Sequence, residues 1–226
     1  KPFRRACIWG DKKFFDPSVT PLSQQLEESY PSILSETQSM MQRYDDFAPF
    51  QDISPDQTYI SNDDRWRMFF LKGAGVTFKR NAAHFPTLMS VLNKHRGVVS
   101  AYLSVLGPQK ILNPHEGPWA GVLRMHMGLI IPDPDKCHIN VEGDKYYWDN
   151  GKVVLFDDTY NHYAVNETDQ LRVILFIDYM RPMRFPYNLL NWTVMKMSWA
   201  FPYIWRPLWR HRRWSQKFYA EKLPVT

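Results

Sequence analysis

A chain of 226 residues, 44% hydrophobic and 15% aromatic, is long enough to bury one sizeable core and falls within the range of a single large all-β domain rather than a helical bundle. Its net charge of +5 belongs to the end of the chain, because residues 181–226 hold nine Lys or Arg and a single acid, Glu221. Only two cysteines occur, Cys7 and Cys137, with no CxxC pair and no apolar run of the ~18 residues needed to cross a bilayer, so neither a disulfide framework, a zinc site nor a spanning helix is expected.

The chain opens on Lys1-Pro2-Phe3-Arg4-Arg5 with no signal-peptide core behind it and without Met, which leaves an upstream membrane anchor open. Residues 14–44 carry Leu22, Leu26, Tyr30, Ile33, Leu34, Met40 and Met41 at near-helical spacing broken by Pro31, which predicts two short helices. A polar, proline-punctuated loop is expected over 45–64, then strands over Trp66–Leu71 and Thr77–Lys79. Phe85, Leu88, Met89 and Leu92 predict a helix within His84–Asn93. From Val98 onward the pattern turns to β: Val98–Leu106, Leu123–Ile131, His138–Val141, Lys152–Phe156 and Arg172–Tyr179, separated by turns such as Gly107-Pro108 and Asp149-Asn150-Gly151.

Seventeen prolines against ten glycines reinforce that picture of short strands and turns. The expected fold is mainly β, a double-stranded β-helix of the jelly-roll, cupin-like kind, with flanking N-terminal helices. Residues 1–183 form this domain, and 184–226 an aromatic and basic C-terminal extension.

The chemistry concentrates in the β-rich segment. A lone histidine in Pro114-His115-Glu116-Gly117-Pro118 is more often structural than a ligand. A second, His162, follows a strand end 47 positions later, and two such histidines can meet across a barrel mouth. Iron(II) oxygenases use neutral imidazoles and open coordination positions, commonly two histidines and one carboxylate. The carboxylate's usual place, two residues after the first histidine, is Gly117 here, and Glu116 would point to the opposite face of an extended segment. Arg124 and His126 alternate on one strand and share a face, with Met125 and Met127 on the other. Without further information Arg124 and Arg172 would be taken as partners of Asp157, Asp158 or Asp178. The pair Asp157-Asp158 either orients an imidazole or shapes a turn.

Several segments together resemble the aspartyl/asparaginyl β-hydroxylase family of Fe(II)- and 2-oxoglutarate-dependent oxygenases. They are Ser104-Val105-Leu106, Pro114 to Pro118, Arg124-Met125-His126-Met127-Gly128-Leu129, Trp148 with Gly151-Lys152-Val153, Phe156-Asp157-Asp158 through His162, and Leu171 to Leu175 with Asp178. The resemblance spans residues 60–183 and covers order and spacing as well as identity. It implies iron held by His115 and His162 alone, water or a nearby carboxylate making up for the missing acid. It also implies that Arg172 and Ser104 hold the distal carboxylate of 2-oxoglutarate and that Arg124 and His126 hold its chelating end. The implied reaction consumes O2 and releases succinate and CO2 while hydroxylating a substrate carbon. Glycine at the ligand position also raises halogenation, which the wider motif disfavours.

Residues 185–219 contain eleven aromatics, five of them tryptophan, among Lys196, Arg206, Arg210, Arg212, Arg213 and Lys217. That mixture suits an anionic membrane surface; packing over the barrel and nucleic-acid binding are the competing explanations, and no nucleic-acid partner is expected. Within the family, the bacterial lipid A 2-hydroxylase branch looks most similar. The expectation is therefore 2-hydroxylation of a lipid A fatty acyl chain at the cytoplasmic face of the bacterial inner membrane, with Glu116, Trp119 and Asp158 near the substrate or the metal. The alternatives are peptidyl aspartyl/asparaginyl β-hydroxylation and a non-catalytic lipid-binding barrel.

Overall fold

The computed structural model describes residues 2–197 and 202–220. Among them the helices are α1 (Pro2–Arg5), α2 (Pro21–Glu28), α3 (Tyr30–Met41), α4 (Phe50–Ile53), α5 (Lys79–Ala82), α6 (Pro86–Asn93), α7 (Tyr187–Met197) and α8 (Pro202–Ala220). The strands are β1 (Phe14–Phe15), β2 (Ala48–Pro49), β3 (Trp66–Gly73), β4 (Val76–Thr77), β5 (Val98–Leu106), β6 (Lys110–Ile111), β7 (Val122–Ile130), β8 (Cys137–Val141), β9 (Asp144–Tyr147), β10 (Val153–Phe156), β11 (His162–Asn166) and β12 (Arg172–Met180).

The two helices expected before residue 45 form as α2 and α3. Thr20 caps α2 by accepting from the Leu22 amide at 3.3 Å, and Pro31 sits in the first turn of α3, where its missing N–H costs nothing. Leu22 and Leu26 of α2 and Ile33 of α3 are buried. Two expectations need correction. The polar stretch 45–64 folds a turn of helix, α4, because Phe50 and Ile53 have a core to enter. The strand expected over Thr77–Lys79 gives only β4, and the chain turns into α5 at Lys79, where Asn81 Nδ2 donates to the Phe70 carbonyl at 2.7 Å and pulls the segment into a helical turn.

Every strand pairing is antiparallel. The larger sheet runs β1-β10-β7-β12-β5-β3-β2, with β4 also on β3, and the smaller runs β6-β11-β8-β9. The long strands β5, β7 and β12 form its centre, and their two faces supply two cores. Met125 and Met127 pack outward with Leu22, Leu26 and Leu88 from the helices. Phe176, Ile174 and Phe156 pack inward against Ile139 and Val141 of the smaller sheet. Strand alternation thus sends Arg124 and His126 to the space between the sheets.

The fold is cupin-like, with one refinement. The sheets remain two hydrogen-bonded units rather than one closed barrel, and helices form a substantial part of the described structure. α8 also contributes to the core. Phe218 is buried among the outward-facing residues, and buried His211 accepts a hydrogen bond from the Phe70 amide at 3.2 Å, in the gap on β3 between β2 and β4. This helix covers a sheet edge that would otherwise expose unpaired amides.

Candidate active site

Between the sheets lies a cavity of about 300 Å3, and Ser104, His115, Glu116, Trp119, Arg124, His126, Asp158, His162 and Arg172 all reach it. His115 and His162 are joined by the backbone: the His115 amide donates to the His162 carbonyl at 3.0 Å and the His162 amide returns the bond at 2.9 Å. His162 follows β10, as expected, and itself opens β11, a short strand whose mixed pattern does not stand out in the sequence. The two imidazole centroids are 4.3 Å apart.

Each imidazole is oriented by a carbonyl two residues earlier. Nδ1–H of His115 donates to Asn113 O at 2.8 Å and that of His162 to Tyr160 O at 2.9 Å, which leaves both Nε2 lone pairs available. Burial holds the His115 pKa down to about 4 and that of His162 down to about 3, the neighbouring imidazole adding to the latter. Both rings are therefore neutral at pH 7, the form that binds a metal.

Gly117 leaves room for a carboxylate from elsewhere. A Cβ at residue 117 would stand 2.0 Å from Asp158 Oδ2, so the space is already taken by the Asp158 side chain. Asp158 is 1% exposed and pairs with Arg124 Nη2 at 2.9 Å, while Asp178 reaches the same nitrogen at 3.3 Å. Burial pushes the Asp158 carboxyl up to about 6, with Arg124 opposing. Arg124 is kept protonated by the two carboxylates against its own burial, and its Nε has no hydrogen-bond partner among the described residues.

Arg172 contrasts with Arg124. It is 1% exposed, lies over the Trp148 ring at 4.7 Å and has no ion pair among the described residues. Among the described residues its Nε and Nη1 have no hydrogen-bond partner, and burial lowers its pKa to about 10. A buried guanidinium without a counter-charge is costly unless an anion arrives to pair with it. His126 stands nearby, enclosed by Phe156, Phe176 and Trp148, with both ring nitrogens unpartnered and burial keeping it neutral. Ser104 accepts from Trp66 Nε1 at 3.0 Å, which leaves its own proton free to donate.

At the mouth, Glu116 is exposed, and Trp119 Nε1 donates to Asn191 of α7 at 3.1 Å. Asn191 in turn donates to Gly121 O at 2.7 Å, and a Cβ on Gly121 would collide with Asn191 and Trp119 at 2.0 Å. The alternation of strands reveals Arg124 and His126, but three wall residues lie outside that signal. Val194, Met195 and Leu208 come from α7 and α8, whose aromatic and basic pattern suits a membrane surface equally well. A buried pair, Arg181 with Asp157 at 2.7 Å, is likewise invisible to local patterning. Among the described residues no cluster of three His, Cys, Asp or Glu side chains is arranged to hold a metal.

The sequence profile of the aspartyl/asparaginyl β-hydroxylases matches residues 27–182. The chain belongs to the aspartyl/asparaginyl β-hydroxylase family. Family membership makes it a 2-oxoglutarate-dependent hydroxylase and implies dependence on Fe(II). An ornithine lipid ester-linked acyl 2-hydroxylase from Rhizobium tropici is 39% identical over 213 residues, covering 94% of this chain and 76% of that protein. The human aspartyl/asparaginyl β-hydroxylase is 26% identical over 185 residues, 79% of this chain and 23% of its own length. The human aspartate β-hydroxylase domain-containing protein 2 is 29% identical over 169 residues, 70% of this chain and 44% of that protein. Thus the chain spans about three quarters of the bacterial relative and less than half of either human one. A Cupin 2 conserved barrel domain protein from Salinispora arenicola overlays with a TM-score of 0.34 at 14% identity, covering 55% of this chain and 83% of that one.

Proposed function

We propose that this β-hydroxylase family member hydroxylates carbon 2 of an ester-linked acyl chain on an ornithine-type aminolipid, using Fe(II), 2-oxoglutarate and O2. The observation that carries the co-substrate is Arg172, a buried cation without a counter-charge. In this reading Arg172 and Ser104 bind the distal carboxylate of 2-oxoglutarate, and the planar guanidinium offers it a two-pronged contact. His126 and the free Nε of Arg124 receive the opposite end. The Nε2 atoms of His115 and His162 hold the iron, which when bound supplies dioxygen activation coupled to decarboxylation of the co-substrate. Asp158, in the space beside Gly117, would be the nearby carboxylate that makes up for the missing ligand.

For the substrate, the chamber walls are mostly apolar, with Phe50, Ile60, Leu112, Val122, Met195 and Leu208 around the polar floor. Such walls exclude water and favour an alkyl chain over an Asp or Asn side chain. The R. tropici relative is named for an ornithine lipid, which favours an aminolipid over lipid A. Membrane association of the 184–226 extension is part of the same proposal. Phe185, Leu189, Trp192, Met197, Trp205 and Trp209 are exposed beside Arg206 and Arg213, an arrangement suited to an anionic interface. No described helix is long and apolar enough to cross a bilayer.

Incubating the iron-loaded protein with 2-oxoglutarate and a short-chain ornithine lipid tests this reading. The expected outcome is succinate together with a lipid heavier by one oxygen on its ester-linked chain. Succinate release only with an Asp- or Asn-containing peptide would move the assignment to the peptidyl reaction, and none with either would refute it.

A further inference from the structure

A second cavity, of about 600 Å3, adjoins the chamber and shares Ala74, Val99 and Met195 with it. Its chemistry differs. Val98, Met180 and Trp192 line it together with Arg96, Arg181 and Lys196, and no acidic side chain does. Arg181 is engaged by Asp157, but Arg96 and Lys196 are exposed and form no ion pair among the described residues. The Lys196 ammonium lies 5.7 Å from the centre of the Trp192 ring.

Arg96 stands between α6 and β5, whereas Lys196 is on α7, so two separate elements bring cations to one hollow. Asn188 adds an amide group, and the walls shared with the chamber are small or flexible apolar residues. An apolar chamber lying against a cationic hollow matches a molecule whose alkyl chain is covalently joined to an anionic group.

We propose that the second cavity holds the anionic group of the headgroup of the lipid whose acyl chain enters the chamber, Arg96 and Lys196 binding its carboxylate or phosphate. This rests on the acyl-lipid reading above and adds a headgroup site to it. The guanidinium and ammonium pair with that anionic group, and the alkyl chain extends past Ala74, Val99 and Met195 towards His115 and His162.

The experiment uses the full chain with Arg96→Gln and Lys196→Gln, singly and together. The probes are a short-chain ornithine lipid below its critical micelle concentration, its carboxylate methyl ester, and a phosphatidylglycerol of equal chain length. Binding is read by calorimetry on iron-free protein, turnover by succinate release, and 2-oxoglutarate affinity separately. Each substitution should weaken binding of the free-acid lipid about tenfold, the loss of one charge-assisted contact. It should raise KM with kcat and 2-oxoglutarate affinity unchanged, and the methyl ester should bind the native protein as weakly as the free acid binds the variants. A parallel loss for phosphatidylglycerol assigns the site to anionic headgroups of both kinds, and loss confined to the ornithine lipid assigns it to a carboxylate. Equal affinity of native and doubly substituted protein for the free-acid lipid overturns the headgroup site while leaving the hydroxylase reading intact. Failure of the native protein to bind or hydroxylate any lipid overturns both.

Discussion

The carboxylate of Asp158 occupies the volume that any side chain on Gly117 would need: a Cβ there would meet Oδ2 at 2.0 Å and Cγ at 2.3 Å. The glycine that removes one carboxylate from the chain thus makes room for another, 41 residues away.

Gly117→Ala should therefore destabilise the fold by about 1–3 kcal/mol, the usual cost of forcing extra volume into a filled site. Gly117→Asp alone should behave worse, because two carboxylates would compete for one space. The double substitution Gly117→Asp with Asp158→Gly empties that space and should recover thermal stability relative to Gly117→Asp. Calorimetric melting of the three iron-free variants checks the order, and a double variant no better than Gly117→Asp would show that Asp158 is not the obstacle.

Arg172→Met should have opposite effects on stability and binding. Replacing a buried, uncompensated guanidinium with an apolar side chain of similar length removes a desolvation cost, so the ligand-free protein should melt at the same temperature or higher. 2-Oxoglutarate affinity should fall at least about 30-fold, from the 2–5 kcal/mol typical of losing one member of a buried charge pair. Isothermal titration beside a melting curve separates the two, and a large drop in melting temperature would mean that Arg172 is structural.

For the buried pair Arg181 and Asp157, breakage rather than replacement is the damaging event. Asp157→Ala should cost about 3–5 kcal/mol, since it strands a guanidinium that is 0% exposed. Substituting both partners, Asp157→Leu with Arg181→Met, should return most of that loss. Urea denaturation of the single and double variants measures it.

The docking of α8 should weaken in acid. His211 accepts from the Phe70 amide and must be neutral to do so, and burial lowers its pKa from 6.5 to about 3. The unfolded chain binds a proton below 6.5 that the folded chain refuses until about 3. The stabilisation is therefore complete above pH 6.5 and is lost as pH falls towards 3, at up to about 1.4 kcal/mol per pH unit for this one group. His115, His126 and His162 are depressed in the same direction. His211→Gln keeps an acceptor without a titrating ring, and comparing its urea midpoints with those of the native protein from pH 7 to 4 isolates the contribution. Identical slopes would remove His211 from the account.

What could be seen in the sequence was whatever a single strand or helix expresses on its own. Leu22, Leu26 and Ile33 announced helices by spacing, and β5, β7 and β12 appeared close to their observed limits because nine residues of mostly apolar, β-branched or alternating character carry enough pattern. Arg124 and His126 could be placed on a common face by alternation. β6, β9 and β11 were hidden because two to five residues with exposed or polar positions carry too little pattern. The role of Asp158 beside Gly117 depends on two loops meeting, and the three wall residues from α7 and α8 depend on how those helices dock. Amphipathic helices with aromatic faces look alike in sequence whether the partner is a bilayer or a β-sheet.

α7 has one further consequence. The same helix turns Trp192 and Met197 outward, offers Val194 and Met195 to the chamber, and is latched by Asn191 to Trp119 and Gly121. One helix thus forms both part of an outward apolar surface and part of the chamber wall, so a substitution at Asn191 that unseats it would disturb both faces together.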